Sequence, residues 1–82
     1  MIKKTILVSC EYGIAHKLAT EFVRTANEYQ CALEITLESY SVNAKSLLGV
    51  VAMGVKQGEQ IILSADGPDE VEAVDALLAI LG

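Results

Sequence analysis

The succession of strand and helix patterns predicts an α+β fold, an open-faced β-sandwich in which a four-stranded, mostly antiparallel sheet carries three helices on one face. Three observations predict it. Four short stretches alternate apolar and polar residues at the period of a half-buried strand. The segments between and after them hold apolar residues at helical spacing. The length of 82 residues suffices for one modest core but not for two lobes closing on a substrate. The expected order is β-α-β-β-α-β-α in a single domain over residues 1–82.

The first strand is expected from Thr5 to Cys10, with Ile6, Val8 and Cys10 facing inward and Thr5, Leu7 and Ser9 outward. Glu11-Tyr12-Gly13 breaks the alternation, and from about His16 the residues Leu18, Ala19, Phe22, Val23 and Ala26 form one helical stripe. The opposite face carries His16, Thr20, Arg24 and Asn27, so the His16 ring is expected to project toward solvent. After Asn27-Glu28-Tyr29-Gln30, residues Leu33, Ile35 and Leu37 alternate with Glu34, Thr36 and Glu38 as a second strand. Ser39-Tyr40-Ser41 is the expected hairpin connection into a short third strand through Val42 and Ala44.

A second helix is expected between Asn43-Ala44-Lys45-Ser46 and Gly54, which ends it. Ser46 has two readings there: an N-cap whose hydroxyl satisfies first-turn amides, or a place where an added phosphate would meet those amides. Lys56-Gln57-Gly58-Glu59 is a turn, and Ile61, Leu63 and Ala65 alternate with Gln60, Ile62 and Ser64 as the fourth strand. Asp69 and Glu72 have the spacing of a capping box ahead of Val71, Val74, Leu77, Leu78 and Leu81, a third helix running nearly to Gly82.

Composition excludes several functions. Hydrophobic residues make up 52% and charged residues 21%, a balance that favours a packed chain over a disordered one. The net charge of −5 leaves no basic stripe for nucleic acid. No apolar run approaches the roughly 20 residues that span a bilayer, and Met1-Ile2-Lys3-Lys4 leads into only a short apolar segment, so a cytoplasmic chain without membrane insertion is expected. Cys10 and Cys31 form no CxxC pair and no His-Cys cluster accompanies them, which reads as structural cysteine. No metal, no cofactor and no catalytic cleft of its own are expected, and proteins become the default partners.

The chemistry concentrates at Tyr12 to Val23. That stretch holds the only histidine of the sequence, His16, followed by Lys17 at an expected helix start. An imidazole titrates near neutral pH and is nucleophilic, and the unpaired amides of a first helical turn attract anions. His16 is therefore either a solvated surface histidine or a phosphoryl acceptor with Lys17 screening charge.

Three blocks of sequence resemble the HPr phosphocarrier proteins of the bacterial phosphoenolpyruvate-dependent sugar phosphotransferase system. They are Gly13-Ile14-Ala15-His16-Lys17-Leu18-Ala19 with Phe22-Val23, then Val42-Asn43-Ala44-Lys45-Ser46-Leu47-Leu48-Gly49 with Gly54 and Gly58, and finally Ser64-Ala65-Asp66-Gly67 before an acidic helix start. The resemblance covers essentially the whole chain without a gap. It implies an HPr-like fold, and it puts at Ser46 the serine that a dedicated kinase or phosphorylase modifies in the family. The first block departs from the family pattern Gly-Leu-His-Thr/Ala-Arg-Pro-Ala: Ala15 stands at the histidine position, His16 one residue later, Lys17 at the arginine position and Leu18 at the proline position. Lysine keeps the charge but loses the planar fork of arginine, and leucine lacks the preset backbone angle of proline.

The resemblance implies a phosphocarrier in which His16 takes a phosphoryl group from a general phosphotransferase enzyme and passes it to a sugar-specific component. A second reading is a regulatory relative of the catabolite-repression (Crh) type, without histidine phosphotransfer, in which a serine kinase modifies Ser46 and so controls binding to a regulatory protein. A third is a binding module that presents Leu47, Leu48 and Val51 to a partner.

Overall fold

Alternating strand residues converge on a single buried sheet face. The computed structural model describes residues 1–11, 13, 14 and 16–81, the side chain of His16 excepted. Its elements are β1 (Ile2–Leu7), α1 (His16–Ala26), β2 (Ala32–Leu37), β3 (Tyr40–Asn43), α2 (Leu47–Met53), β4 (Gln60–Asp66) and α3 (Glu70–Leu81). The strands form one sheet in the order β1-β4-β2-β3, every neighbouring pair antiparallel. Ile35 pairs with Leu63 on one side and Val42 on the other, and Ile6 pairs with Ile61. Leu33, Ile35, Ile61, Leu63 and Ala65 are all buried on the face that the helices cover. Thr5, Ile62 and Thr36 lie in register on the opposite face, which is left to water.

The helices complete this core with the residues that their spacing selects. From α1 come Ala19, Phe22, Val23 and Ala26, from α2 Val50 and Met53, and from α3 Ala73, Val74, Leu77 and Leu81. Among the described residues no polar or charged side chain is buried with them, so burial is not offset by desolvation of unpaired polar groups. The α1 stripe is the one expected, except that Leu18 at its edge is only partly buried. That of α3 is narrower: Leu78 is only partly buried, and Val71 is 54% exposed and lies outside the stripe.

Two strand boundaries and one cap differ from the expected ones. β1 begins at Ile2 and ends at Leu7, not at Cys10, because its ladder partner β4 ends at Gln60, opposite Leu7. Lys4 shares the inward register of Ile2 and Ile6 yet stays exposed, because β1 is an edge strand. β3 begins two residues early, at Tyr40, paired with Leu37, so that the connection is the two-residue turn Glu38-Ser39 with Glu38 at φ 56. A two-residue hairpin requires such a positive φ to match strand twist, although glutamate is a poor residue for it. Ala44, the expected strand end, lies just past β3 and still donates to the Leu33 carbonyl at 2.9 Å.

The third departure is at α3. Asp69 does not form a capping box with Glu72. Its Oδ2 accepts from the Gln30 N–H at 2.8 Å and its Oδ1 from the Cys31 N–H at 2.9 Å, tying the α1–β2 loop to the start of α3. Glu70 takes over the local role, its Oε1 accepting from the Gly67 N–H at 3.1 Å. The Gln30 bond, assisted by that from Cys31, holds the Asp69 carboxyl below the usual carboxylate range against an opposing desolvation. The Gly67 bond, with help from the nearby chain amine, does the same for Glu70.

Two outcomes follow from this packing. Phe22 is fully buried, so Phe22→Ala should lower unfolding free energy by about 3–5 kcal/mol in a denaturant titration. A carboxyl whose folded pKa is depressed stabilises fully above its unfolded pKa of about 3.9, and that contribution disappears as pH falls through the lower folded value. Asp69→Asn should therefore be less stable than wild type at neutral pH, since one of two backbone donors loses its acceptor. The difference should shrink as pH is lowered below about 4, read from denaturation midpoints across that range.

Candidate functional site

The start of α1 is fixed from outside the helix. Val8 donates to the Glu59 carbonyl at 2.9 Å, Gly58 donates back to the Val8 carbonyl at 2.8 Å, and the Gln57 side-chain amide donates to the Ser9 carbonyl at 3.2 Å. Further along, Ile14 N–H donates to the Val55 carbonyl at 3.0 Å. The β1–α1 connection is thus laced to the α2–β4 loop. Gly13 sits at the tightest point, with φ 66 and so close to the loop that a Cβ there would overlap the Val55 carbonyl and stand 2.8 Å from Lys56 Cα. Only glycine combines that backbone angle with that approach. Cys10 adds a thiol bond to the Gly13 carbonyl at 3.3 Å.

His16 is the first residue of α1. Its ring, and with it the expectation that it projects to solvent, lies outside the described residues, as do Tyr12 and Ala15. Lys17 follows and is exposed. A surface hollow of about 370 Å³ lined by Lys17, Thr20, Glu21 and Arg24 runs along the outward face of the helix. The first turn of α1 contains no acidic residue and its last turn contains Arg24. The dipole's positive end is therefore not neutralised by the helix's own side chains.

Ser46 is the N-cap of α2. It is extended at φ −102 and ψ 111, and its Oγ accepts from the Gly49 N–H at 3.1 Å. Gly54 closes the helix at φ 64. The preceding turn is held by Asn43 Oδ1, which accepts from Lys45 N–H at 2.8 Å. Asn27 Nδ2 donates both to the Val23 carbonyl at 2.9 Å and to the Lys45 carbonyl at 3.0 Å, and Lys45 Nζ donates to the Tyr29 carbonyl at 2.7 Å. Beside Ser46, Leu48 is 81%, Val51 53% and Leu47 44% exposed, while Val50 and Met53 are buried. The expected apolar surface is therefore present, and α2 shows one face to the core and another to solvent.

These two candidate positions are not brought into one cleft. The start of α1 lies by Val55, just past the end of α2, whereas Ser46 at the start of α2 lies by Asn27 and Tyr29, past the end of α1. They sit at opposite ends of α2, roughly 10 Å of helix apart, with Leu47, Leu48 and Val51 on the turns between. The loop contact that positions Gly13 escaped sequence reasoning; the glycines at 13, 54 and 58 were its only trace. Cys31 is buried, and burial together with the neighbouring Asp69 carboxylate pushes its thiol pKa up, which keeps it unreactive. Among the described residues no group of three or more His, Cys, Asp or Glu side chains is placed to hold a metal, and no helix is long and apolar enough to cross a membrane.

The fold defines a small open-faced sandwich protein whose two candidate positions, His16 and Ser46, stand at helix starts. The chain belongs to the HPr family, the phosphocarrier proteins of the sugar phosphotransferase system: the family described as "PTS HPr component phosphorylation site" matches residues 2–82. It is 33% identical over 81 residues to the HPr-like protein Crh of Halalkalibacterium halodurans, covering 99% of this chain and 96% of that one. It is 37% identical over 81 residues to the phosphocarrier protein HPr of Buchnera aphidicola subsp. Schizaphis graminum, covering 99% and 95%. The crystal structure of HPr-C-His from Thermoanaerobacter tengcongensis superposes with a TM-score of 0.95 at 36% identity, covering 99% of this chain and 91% of that one.

Because Gly13 is held both by its backbone angle and by Val55, Gly13→Ala should destabilise the protein by about 1–3 kcal/mol. Amide exchange measured site by site should show the loss of protection concentrated at Ile14 and Gly58.

Proposed function

We propose that this protein accepts a phosphoryl group on His16 and passes it on, acting in the cytoplasm as a single HPr-like domain over residues 1–82. The observation that carries this reading is the position of His16 at the first residue of α1, ahead of exposed Lys17 and in a first turn free of carboxylates. An imidazole nitrogen of His16 attacks the phosphorus of a phosphohistidine on the general phosphotransferase enzyme. The new N–P bond forms as the donor's N–P bond breaks, and the donor imidazole leaves. First-turn amides and Lys17 screen the charge of the group in transit, which then moves to a sugar-specific component by the same exchange. The protein needs no cofactor and no cleft for this, because the partner supplies alignment.

A second reading has its own support. Ala15 occupies the histidine position of the family motif, and a one-residue shift turns a helical side chain by about 100°. Ser46 caps α2 beside exposed Leu47, Leu48 and Val51. Phosphate added there by a serine kinase would place charge at the edge of an apolar surface and so control docking of a regulatory protein, as a Crh-like switch.

The two readings separate by the acid stability of the phosphate, since phosphohistidine is acid-labile and phosphoserine is not. With phosphoenolpyruvate and the general enzyme, wild type should acquire acid-labile phosphate, retained in Ser46→Ala and absent in His16→Ala. Transfer should be slow, and the double change Ala15→His, His16→Ala should accelerate it at least tenfold, about 1.4 kcal/mol of barrier. Acid-stable phosphate at Ser46 from ATP and the kinase, with none on His16, would instead establish the regulatory reading.

A further inference from the structure

We infer that Lys56 is a second cation of the phosphoryl-accepting end, carried to the start of α1 by the facing loop, so that a phosphoryl group on His16 is screened by two lysines from two different segments. The inference rests on the carrier reading of His16. It identifies a residue that screens charge on the bound group, outside the helix that bears the acceptor.

The six cations of the sequence reduce to two by position. Lys3 and Lys4 lie on edge strand β1. Lys45 commits its ammonium to the Tyr29 carbonyl at 2.7 Å. Arg24 is in the last turn of α1, roughly 12 Å along the axis from His16. Lys17 and Lys56 remain. Lys56 Cα lies 2.8 Å from where a Gly13 Cβ would stand, and Val55 beside it accepts from the Ile14 N–H at 3.0 Å, two residues before His16. The backbone that carries Lys56 is thus clamped against the approach to α1.

The side chain itself is available. Lys56 is exposed, and among the described residues neither it nor Lys17 is paired with a carboxylate; the ion pairs are those of the Met1 amine with Asp66 and Glu70. Glu59, its nearest acidic neighbour in the loop, uses Oε1 to accept from the Lys56 N–H at 2.7 Å, which fixes the loop. The next acidic residues along the other segment are Glu11, two residues before Gly13, and Glu21, five residues after His16, both exposed. A phosphoryl group carries between one and two negative charges near neutral pH, and cations held close to it screen that charge. Lys17 lacks arginine's fork, and a second point charge on a flexible stem adds to the screening that it supplies.

The test loads His16 without any partner protein. With phosphoramidate as donor, the imidazole nitrogen forms the new N–P bond while the bond to nitrogen in the reagent breaks, and ammonia leaves with the imidazole proton. The second ionisation of the phosphoryl group is then followed by phosphorus NMR. Lys56→Gln should raise that pKa by about half a unit, roughly threefold in the proton equilibrium, and Lys56→Arg should restore it. Lys17→Gln should shift it in the same direction, and Lys4→Gln should leave it where it is. The Lys56→Gln variant titrating as wild type does would overturn the inference and leave the carrier reading intact. A shift of equal size in Lys4→Gln would overturn it too, because overall charge would then suffice. If His16 takes phosphate neither from phosphoramidate nor from the general enzyme, the inference falls together with the carrier reading.

Discussion

The last described strand, β4, is inserted into the interior of the sheet, and most of the structure depends on that insertion. β4 pairs with β1 on one side and β2 on the other, and Ile61, Leu63 and Ala65 place its inward side chains at the centre of the core. Both of its ends then act as fasteners. At its start, residues Val55 to Glu59 bond the β1–α1 connection and fix where α1 begins. At its far end Gly67 and Asp69 meet Glu70, Gln30 and Cys31, joining the α1–β2 loop to α3. Those bonds from backbone amides to the Asp69 and Glu70 carboxylates are the working part of that junction; the Met1 ion pairs with Asp66 and Glu70 at 3.9 and 3.2 Å are solvent-screened and add little.

The parts of this design that obey a local period were legible in the sequence. Leu33, Ile35, Ile61, Leu63, Phe22 and Val23 all face inward as their spacing required, and Ser46 and Gly54 bound α2 as their chemistry required. What escaped was set by partners distant in sequence. Asp69 looked like a cap for its own helix but serves amides 38 and 39 residues away, and no local pattern reports that. The strand limits at Leu7 and Tyr40 depend on where β4 and β2 stop, while Lys4 disguised an edge strand as a polar leader. Val71 fits a helical stripe on paper yet falls beyond the layer that the sheet can cover.

The candidate site divides in the same way. His16 at a helix start, Lys17 beside it and Ser46 as a cap were all visible as residue types in sequence. The loop that holds Gly13 was not, because only a short approach between two backbones gives that glycine its purpose. Electrostatics separates the helices by role. α3, which ties the fold together, carries Glu70 and Glu72 in its first turn, whereas the first turns of α1 and α2 carry no acid. A helix that neutralises its own dipole gains stability, and one that leaves it open keeps an attraction for anions.

α2 is only seven residues long, well short of the dozen or so that a helix needs to persist in water without support. Its order is borrowed from Val50 and Met53 in the core and from the two caps, while Leu47, Leu48 and Val51 gain nothing from being held in the open. Such a segment is among the first to open in a native protein, at a free energy below that of global unfolding. Any protein that covers those three side chains therefore does more than dock on a ready surface. It adds the burial that the helix lacks, and in the complex α2 should open less often than in the free chain.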